Sequence, residues 1–189
     1  MTRGRPSKKL EIAACAKSLF QKQGYQGTSI DQVVVLSGVS KPTVYSNFSS
    51  KQVLWVEVMK QVIASAAIDM QSLESTDDDF LSQWIATWEK WQASSERLSL
   101  YRIILGESVK MEEEALVLFS NFETVLNSRL NIIREKSGLL LEDSVYFALY
   151  STSYYLFISK NLYKRQSITE CKNRDLLEVI LPKSDKNGK

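Results

Sequence analysis

The stretch Gly24-Tyr-Gln-Gly-Thr-Ser-Ile-Asp-Gln-Val-Val-Val-Leu-Ser-Gly-Val-Ser-Lys-Pro-Thr-Val-Tyr-Ser-Asn-Phe48 limits the fold of this chain more than any other. Ser29-Ile-Asp-Gln32 has capping-box spacing, in which the hydroxyl accepts a backbone N–H and the glutamine reaches back. Ile30, Val33, Val34 and Leu36 supply the buried side of the helix so started. Gly38 breaks it and Val39 plugs the turn. Ser40 then caps another helix, with Pro42 in the first turn, where a missing N–H costs nothing. The spacing therefore predicts two short helices joined by a tight glycine turn.

In the second of these helices Val44 and Phe48 face inward, which leaves Lys41, Thr43, Tyr45, Ser46 and Asn47 outside. Hydroxyls, an amide, a phenol and a lysine can all hydrogen-bond base edges or phosphates, and no carboxylate on this face repels them. A helix of about eight residues is roughly 12 Å long and fits the major groove of B-DNA. Charge supports that direction. The first 51 residues hold Arg3, Arg5, Lys8, Lys9, Lys17, Lys22, Lys41 and Lys51 against Glu11 and Asp31, a net of +6 in a chain whose total is +2. The remainder is acidic, and a basic head on an acidic body is the footprint of a nucleic-acid module. Met1 to Pro6 reads as a basic arm, either adding minor-groove contacts or remaining a solvated tail.

Other classes of function fit poorly. The chain has no histidine, which removes the commonest general base and every Ser-His-Asp or Cys-His arrangement. Cys15 and Cys171 stand far apart, so no metal set is expected, and Cys15 reads as a small core residue. No enzyme activity and no cofactor are expected. Ser144 to Ser159 is uncharged, but it is short for a membrane span and reads as a buried helix. The N-terminus lacks a signal-peptide core, and a cytoplasmic protein is expected.

The rest of the chain reads as helices. Ser7 caps a first helix carrying Ile12, Ala13, Ala16, Leu19 and Phe20 and ending at Gly24. Ser49-Ser-Lys-Gln52 repeats the capping-box spacing and opens a fourth helix running to about Ala67, the mechanical link between head and body. Asp77-Asp-Asp79 is a helix start that suits the macrodipole rather than a metal cluster. Trp84, Trp88 and Trp91 form a stripe on the following helix, either core or the wall of a ligand cavity. Further helices are expected over Leu98 to Val109, Ala115 to about Lys136, Val145 to Leu162 and about Glu170 to Leu181, with a disordered tail over residues 183–189. Val145 to Leu162 is apolar nearly all round, which implies burial both in the body and against a second subunit.

The head resembles the DNA-binding domain of the TetR/AcrR family of bacterial transcriptional regulators. The motif stands here as Phe20 with Gly24-Tyr25, Thr28-Ser29, Ser37-Gly38-Val39-Ser40 and Tyr45-Ser-Asn-Phe48-Ser-Ser-Lys51. Gln32, Val34 and Ser37 depart from the family's usual residues at packing and capping positions. Asn47 stands where many members have histidine, within the outward face. The resemblance implies an all-α protein of about nine helices. Residues 1–51 form the helix-turn-helix domain, and residues 52–182 form a ligand-binding and dimerisation bundle. It further implies that Lys41, Pro42, Thr43, Ser46 and Asn47 approach base edges, that Tyr45 and Lys51 hold phosphates and that Ser29 anchors the DNA backbone, with Ser40 completing the set. The implied partners are a double-stranded DNA operator, a second copy of the chain and a small-molecule effector, with no membrane. Trp84, Trp88, Tyr101, Glu107, Phe122, Tyr150 and Tyr154 are the expected pocket residues. Tyr155, Ile158, Leu162, Leu177 and Ile180 are those expected at the dimer interface. The same fold controlled by a protein partner, with no small molecule, is the alternative.

Overall fold

A computed structural model describes residues 7–73, 79–163 and 172–181. The expected basic arm, Asp77, Asp78, Cys171 and the tail lie outside these residues. The described chain is helical, with no strands: α1 (Lys8–Gly27), α2 (Ile30–Ser37), α3 (Lys41–Asn47), α4 (Lys51–Gln71), α5 (Phe80–Gln92), α6 (Ser95–Glu107), α7 (Glu113–Ser137), α8 (Asp143–Ser153), α9 (Lys160–Tyr163) and α10 (Asn173–Glu178). A π-helical run, Tyr154–Ser159, joins α8 to α9. Taken as one rod, these three segments bring the described residues to nine helices, as expected.

The chain divides into two compact units. One comprises the residues up to Ile68 with Ser95–Val125, and the other Asp69–Ser94 with the residues from Leu126 onward. In the first unit α1 packs against α2, α3 and α6. Ile12, Ala13, Ala16 and Phe20 of α1, Val33 of α2, Val44 and Phe48 at α3, and Leu54 and Trp55 of α4 are buried. Phe20 meets the Trp55 ring edge-on at 4.9 Å, and Tyr25 lies 5.9 Å from the same indole. Apolar burial of this kind supplies most of the stability that such short helices lack on their own.

Local signals set the helix ends. Ser7 accepts the Leu10 N–H at 3.4 Å. The Ser29 box closes in both directions, with Gln32 N–H to Ser29 Oγ at 3.2 Å and Ser29 N–H to Gln32 Oε1 at 2.8 Å. Gly38 takes φ 67°, a left-handed turn that non-glycine residues rarely adopt. At the start of α4 the cap is Ser50, whose Oγ accepts from Val53 N–H at 3.1 Å, in place of the expected Ser49. Gln52, freed from capping, accepts the Tyr25 hydroxyl at 3.0 Å instead. Two other expectations fail in the head: Leu36 is 52% exposed rather than buried, and Cys15 is only half-buried. An eight-residue helix on a small core has room to bury only one side, and Val33 takes it.

In the second unit Trp84, Trp88 and Trp91 are fully buried. Trp84 packs edge-on against Tyr146 at 5.7 Å, and Trp88 meets Tyr150 at 5.4 Å and Phe157 at 6.1 Å. The Trp84 indole donates to Ser153 Oγ at 2.8 Å, and that hydroxyl donates to the Leu149 carbonyl at 2.8 Å. Asp79 caps α5 by accepting Leu81 and Ser82 N–H groups at 3.0 and 3.1 Å, the role expected of an acid at a helix start. Within the single chain the rod after Glu142 leaves Phe147 71% exposed. No described helix is long and apolar enough to cross a membrane.

Ser153→Ala tests the buried chain of donors. It leaves the Trp84 N–H with no acceptor at a fully buried site, a loss of about 1–3 kcal/mol. The urea midpoint is expected to fall with the slope unchanged.

Candidate nucleic-acid interface

The face of α3 is built from its caps outward. Ser40 Oγ accepts the Thr43 N–H at 3.3 Å and lies 2.8 Å from Thr43 Oγ1, which fixes the first turn. Lys41, Pro42, Tyr45 and Ser46 are exposed, while Thr43 and Asn47 are half-buried. The Thr43 carbonyl accepts from Ser46 Oγ at 3.0 Å and from Asn47 Nδ2 at 2.8 Å. Thus the side chains expected to read bases are already ordered on their own helix, which lowers the entropy lost on contact with a partner. Ser29, expected at the backbone, is exposed at the start of α2.

Two charges differ from expectation. Lys41 forms an ion pair with Asp31 of α2 at 2.7 Å, and both side chains are solvent-facing. A carboxylate therefore borders a face whose own helix carries none. Lys51, expected on phosphate, points inward. Its Nζ donates to the Tyr25 carbonyl at 3.0 Å and the Thr28 carbonyl at 3.1 Å, and lies 4.3 Å from the centre of the Tyr25 ring. Desolvation lowers the Lys51 pKa from its ordinary value, with the nearby Glu107 charge opposing that shift. Lys51 thus ties the α1–α2 connection to α4.

Glu107 does not take the pocket position expected of it. It ends α6, where its carboxylate accepts the Tyr25 N–H at 3.2 Å and the Gln26 N–H at 2.7 Å. Nothing near it in sequence announces this partner, 82 residues away. The other expected pocket residues fall in both units. Tyr101 and Phe122 belong to the first, where they pack with Phe119 at ring distances of 5.4 to 5.8 Å. Trp84, Trp88, Tyr150 and Tyr154 belong to the second. There Tyr150 borders an open groove of about 410 Å³ with Asn127, Asn131, Tyr146 and Phe147. Among the expected interface residues, Ile158 and Leu177 are fully buried within the chain itself and so act as core. Tyr155, Leu162 and Ile180 are half-buried. Glu123 of α7 has its carboxyl pKa raised by burial.

A capped helix, a left-handed glycine turn and a second capped helix with a polar outer face define a helix-turn-helix protein with an all-helical body. Residues 12–58 match the model of the bacterial regulatory proteins, tetR family. The HTH-type transcriptional regulator RutR of Escherichia coli K12 is 35% identical over 57 residues, which are 30% of this chain and 27% of that protein. The HTH-type transcriptional activator FasR of Mycolicibacterium smegmatis is 29% identical over 76 residues, 40% of this chain and 35% of that one. The chain thus spans about a quarter to a third of the length of these curated relatives. Over the whole chain the fold is similar to that of a transcriptional regulator from Saccharomonospora viridis in complex with choline. That comparison has a TM-score of 0.74 and 16% identity, and it covers 93% of this chain and 95% of that one.

Two substitutions separate the roles of the charges. Lys51→Ala removes two charge-assisted bonds inside the head and is expected to lower stability by about 1–3 kcal/mol in denaturant unfolding. Asp31→Asn frees Lys41 at the edge of the α3 face. Its affinity for DNA is expected to rise a few-fold at low salt and to converge on that of the parent at high salt, measured by fluorescence anisotropy.

Proposed function

We propose that this protein is a ligand-responsive regulator of transcription that binds a pseudo-palindromic operator as a homodimer, each copy placing α3 in the major groove. The observation that carries the reading is the outward face of α3, polar, capped and free of carboxylates of its own, on a head that matches the family model. A twofold pair of such helices fits half-sites separated by about one turn of DNA, roughly 34–36 Å. Repression is the sign we favour, with release by a small, largely apolar molecule. FasR is named an activator, so the sign is a matter for direct measurement.

The effector would act through helices that contribute to both units, α4 foremost among them. It can shift the protein only by its differential affinity for the two forms, and a coupling of about 1–3 kcal/mol is ordinary. The aromatic supply around Trp88 and Tyr150 suits an apolar or quaternary-ammonium compound. Choline, bound by the S. viridis protein, is accordingly a sensible first compound to screen. The fully packed Trp84 and Trp88 favour a second reading, in which the body docks a protein and no small molecule enters.

Selection of bound sites from random DNA tests the head and the dimer together. Enrichment of an inverted repeat is expected, and enrichment of a single unrepeated half-site or of nothing counts against the proposal. With the selected site in hand, Thr43→Ala is expected to relax preference at one base position in each half-site. With Lys51 turned inward, Lys41 takes the phosphate role in place of the base-edge role first expected of it, and Lys41→Ala is expected to weaken all sequences alike and flatten the log–log salt dependence by about one unit. Equal behaviour of the two variants would refute that division of labour.

A further inference from the structure

The seam between α1 and α6, both within the first unit, carries three polar ties in register. Lys17 pairs with Glu96 at 2.7 Å near the start of α6. Further along, the Arg102 guanidinium donates to the Gln21 carbonyl. At the end, Glu107 takes the Tyr25 and Gln26 N–H groups, one on each oxygen. On α1 the positions 17 and 21 share one face of the helix, and Tyr25 follows the break at Gly24.

The second and third ties have a specific relation. An unbroken α-helix would join the Tyr25 N–H to the Gln21 carbonyl, four residues earlier. At Gly24 the backbone departs from helical geometry, with φ 80° and ψ 177°, and α6 supplies a partner to each group: a guanidinium to the carbonyl, a carboxylate to the amide. A Cβ at position 24 would lie 2.4 Å from Glu107 Oε1, so this approach requires glycine there. The corner held in this way leads through Thr28, whose hydroxyl donates to the Gly24 carbonyl at 2.8 Å, directly into the Ser29 cap of α2.

We infer that Glu107 is the positioning residue through which the end of α6 sets the α1–α2 corner, and with it the orientation of the helix-turn-helix. A carboxylate bound to two backbone amides is short-ranged, so a displacement of α6 by an ångström or two at its end breaks it. Whatever moves α6 is then transmitted to the reading head at Tyr25 and Gln26. This inference rests on the proposed function for its consequence on DNA, but the tie itself is read without DNA.

The test uses the full chain and the variants Glu107→Gln, which keeps the shape but only one acceptor oxygen, and Glu107→Ala. Amide hydrogen exchange at Tyr25 and Gln26 is expected to quicken about tenfold or more in the alanine variant, with the buried Met59 region of α4 unchanged. The glutamine variant is expected to fall between, which keeps the test open if the alanine variant folds poorly. Affinity for the DNA selected by the parent is expected to drop about tenfold. By reciprocity, DNA should slow exchange at residues 105–108 in the parent and fail to do so in the variants. Unchanged exchange at Tyr25 and Gln26 overturns the tie. Faster exchange with unchanged DNA affinity overturns the positioning role. A parent protein that selects no DNA overturns the proposed function and the positioning role with it, while the exchange result still decides the tie.

Discussion

The head depends on how the backbone polar groups at Gly24 are satisfied. A helix interrupted inside a packed core leaves N–H and C=O groups that must find partners, since leaving them unpaired costs as much as a lost hydrogen bond. Here the partners come from three directions. Glu107 takes two amides, Lys51 takes the Tyr25 and Thr28 carbonyls, and the Thr28 hydroxyl takes the Gly24 carbonyl. Tyr25 sits among them, its ring under the Lys51 ammonium and its hydroxyl on Gln52. The corner is therefore a small charged network closed over an aromatic ring, and the placement of α2 and α3 follows from it.

That network explains why the recognition surface is so short yet so ordered. Helices of eight and seven residues do not persist in water on propensity alone. Their caps, the left-handed Gly38 and the anchorage of the corner replace length with constraint. The Ser46 hydroxyl and the Asn47 amide are held on the Thr43 carbonyl and the Thr43 hydroxyl lies against Ser40 Oγ, so the face is presented in one arrangement.

How much of this could be read from the sequence depended on range. Caps and breaks are local, and Ser7, Ser29, Ser40, Gly38 and the helix pattern were all legible from spacing. The outward set on α3 followed from the inward pair Val44 and Phe48. The long-range contacts were not legible. Glu107 looked like an acid in an aromatic body because nothing around it points to residue 25, and Lys51 looked like a phosphate ligand because its inward route depends on the corner being there to receive it. Asp31 enters the sequence only as one negative charge, whereas its effect on Lys41 comes from the crossing of two helices. Burial in the body was read from apolarity alone, which could not tell Ile158 and Leu177, inside the chain, from Phe147, outside it.

The π-helical run Tyr154–Ser159 has a geometric consequence for the helix beyond it. Wider turns bonded from each residue to the fifth beyond it accommodate an extra residue without lengthening the rod, and each residue of an ordinary helix turns about 100°. The face that α9 presents is therefore phased differently from the one α8 would have carried forward. Asn161, in that phase, donates to Gln92 Oε1 at 2.7 Å and to the Phe157 carbonyl at 2.7 Å. Removal of one residue from the run would restore a regular helix and leave Asn161 in nearly the same phase, so the wider turns let the rod carry one surplus residue while α9 keeps its bond to α5.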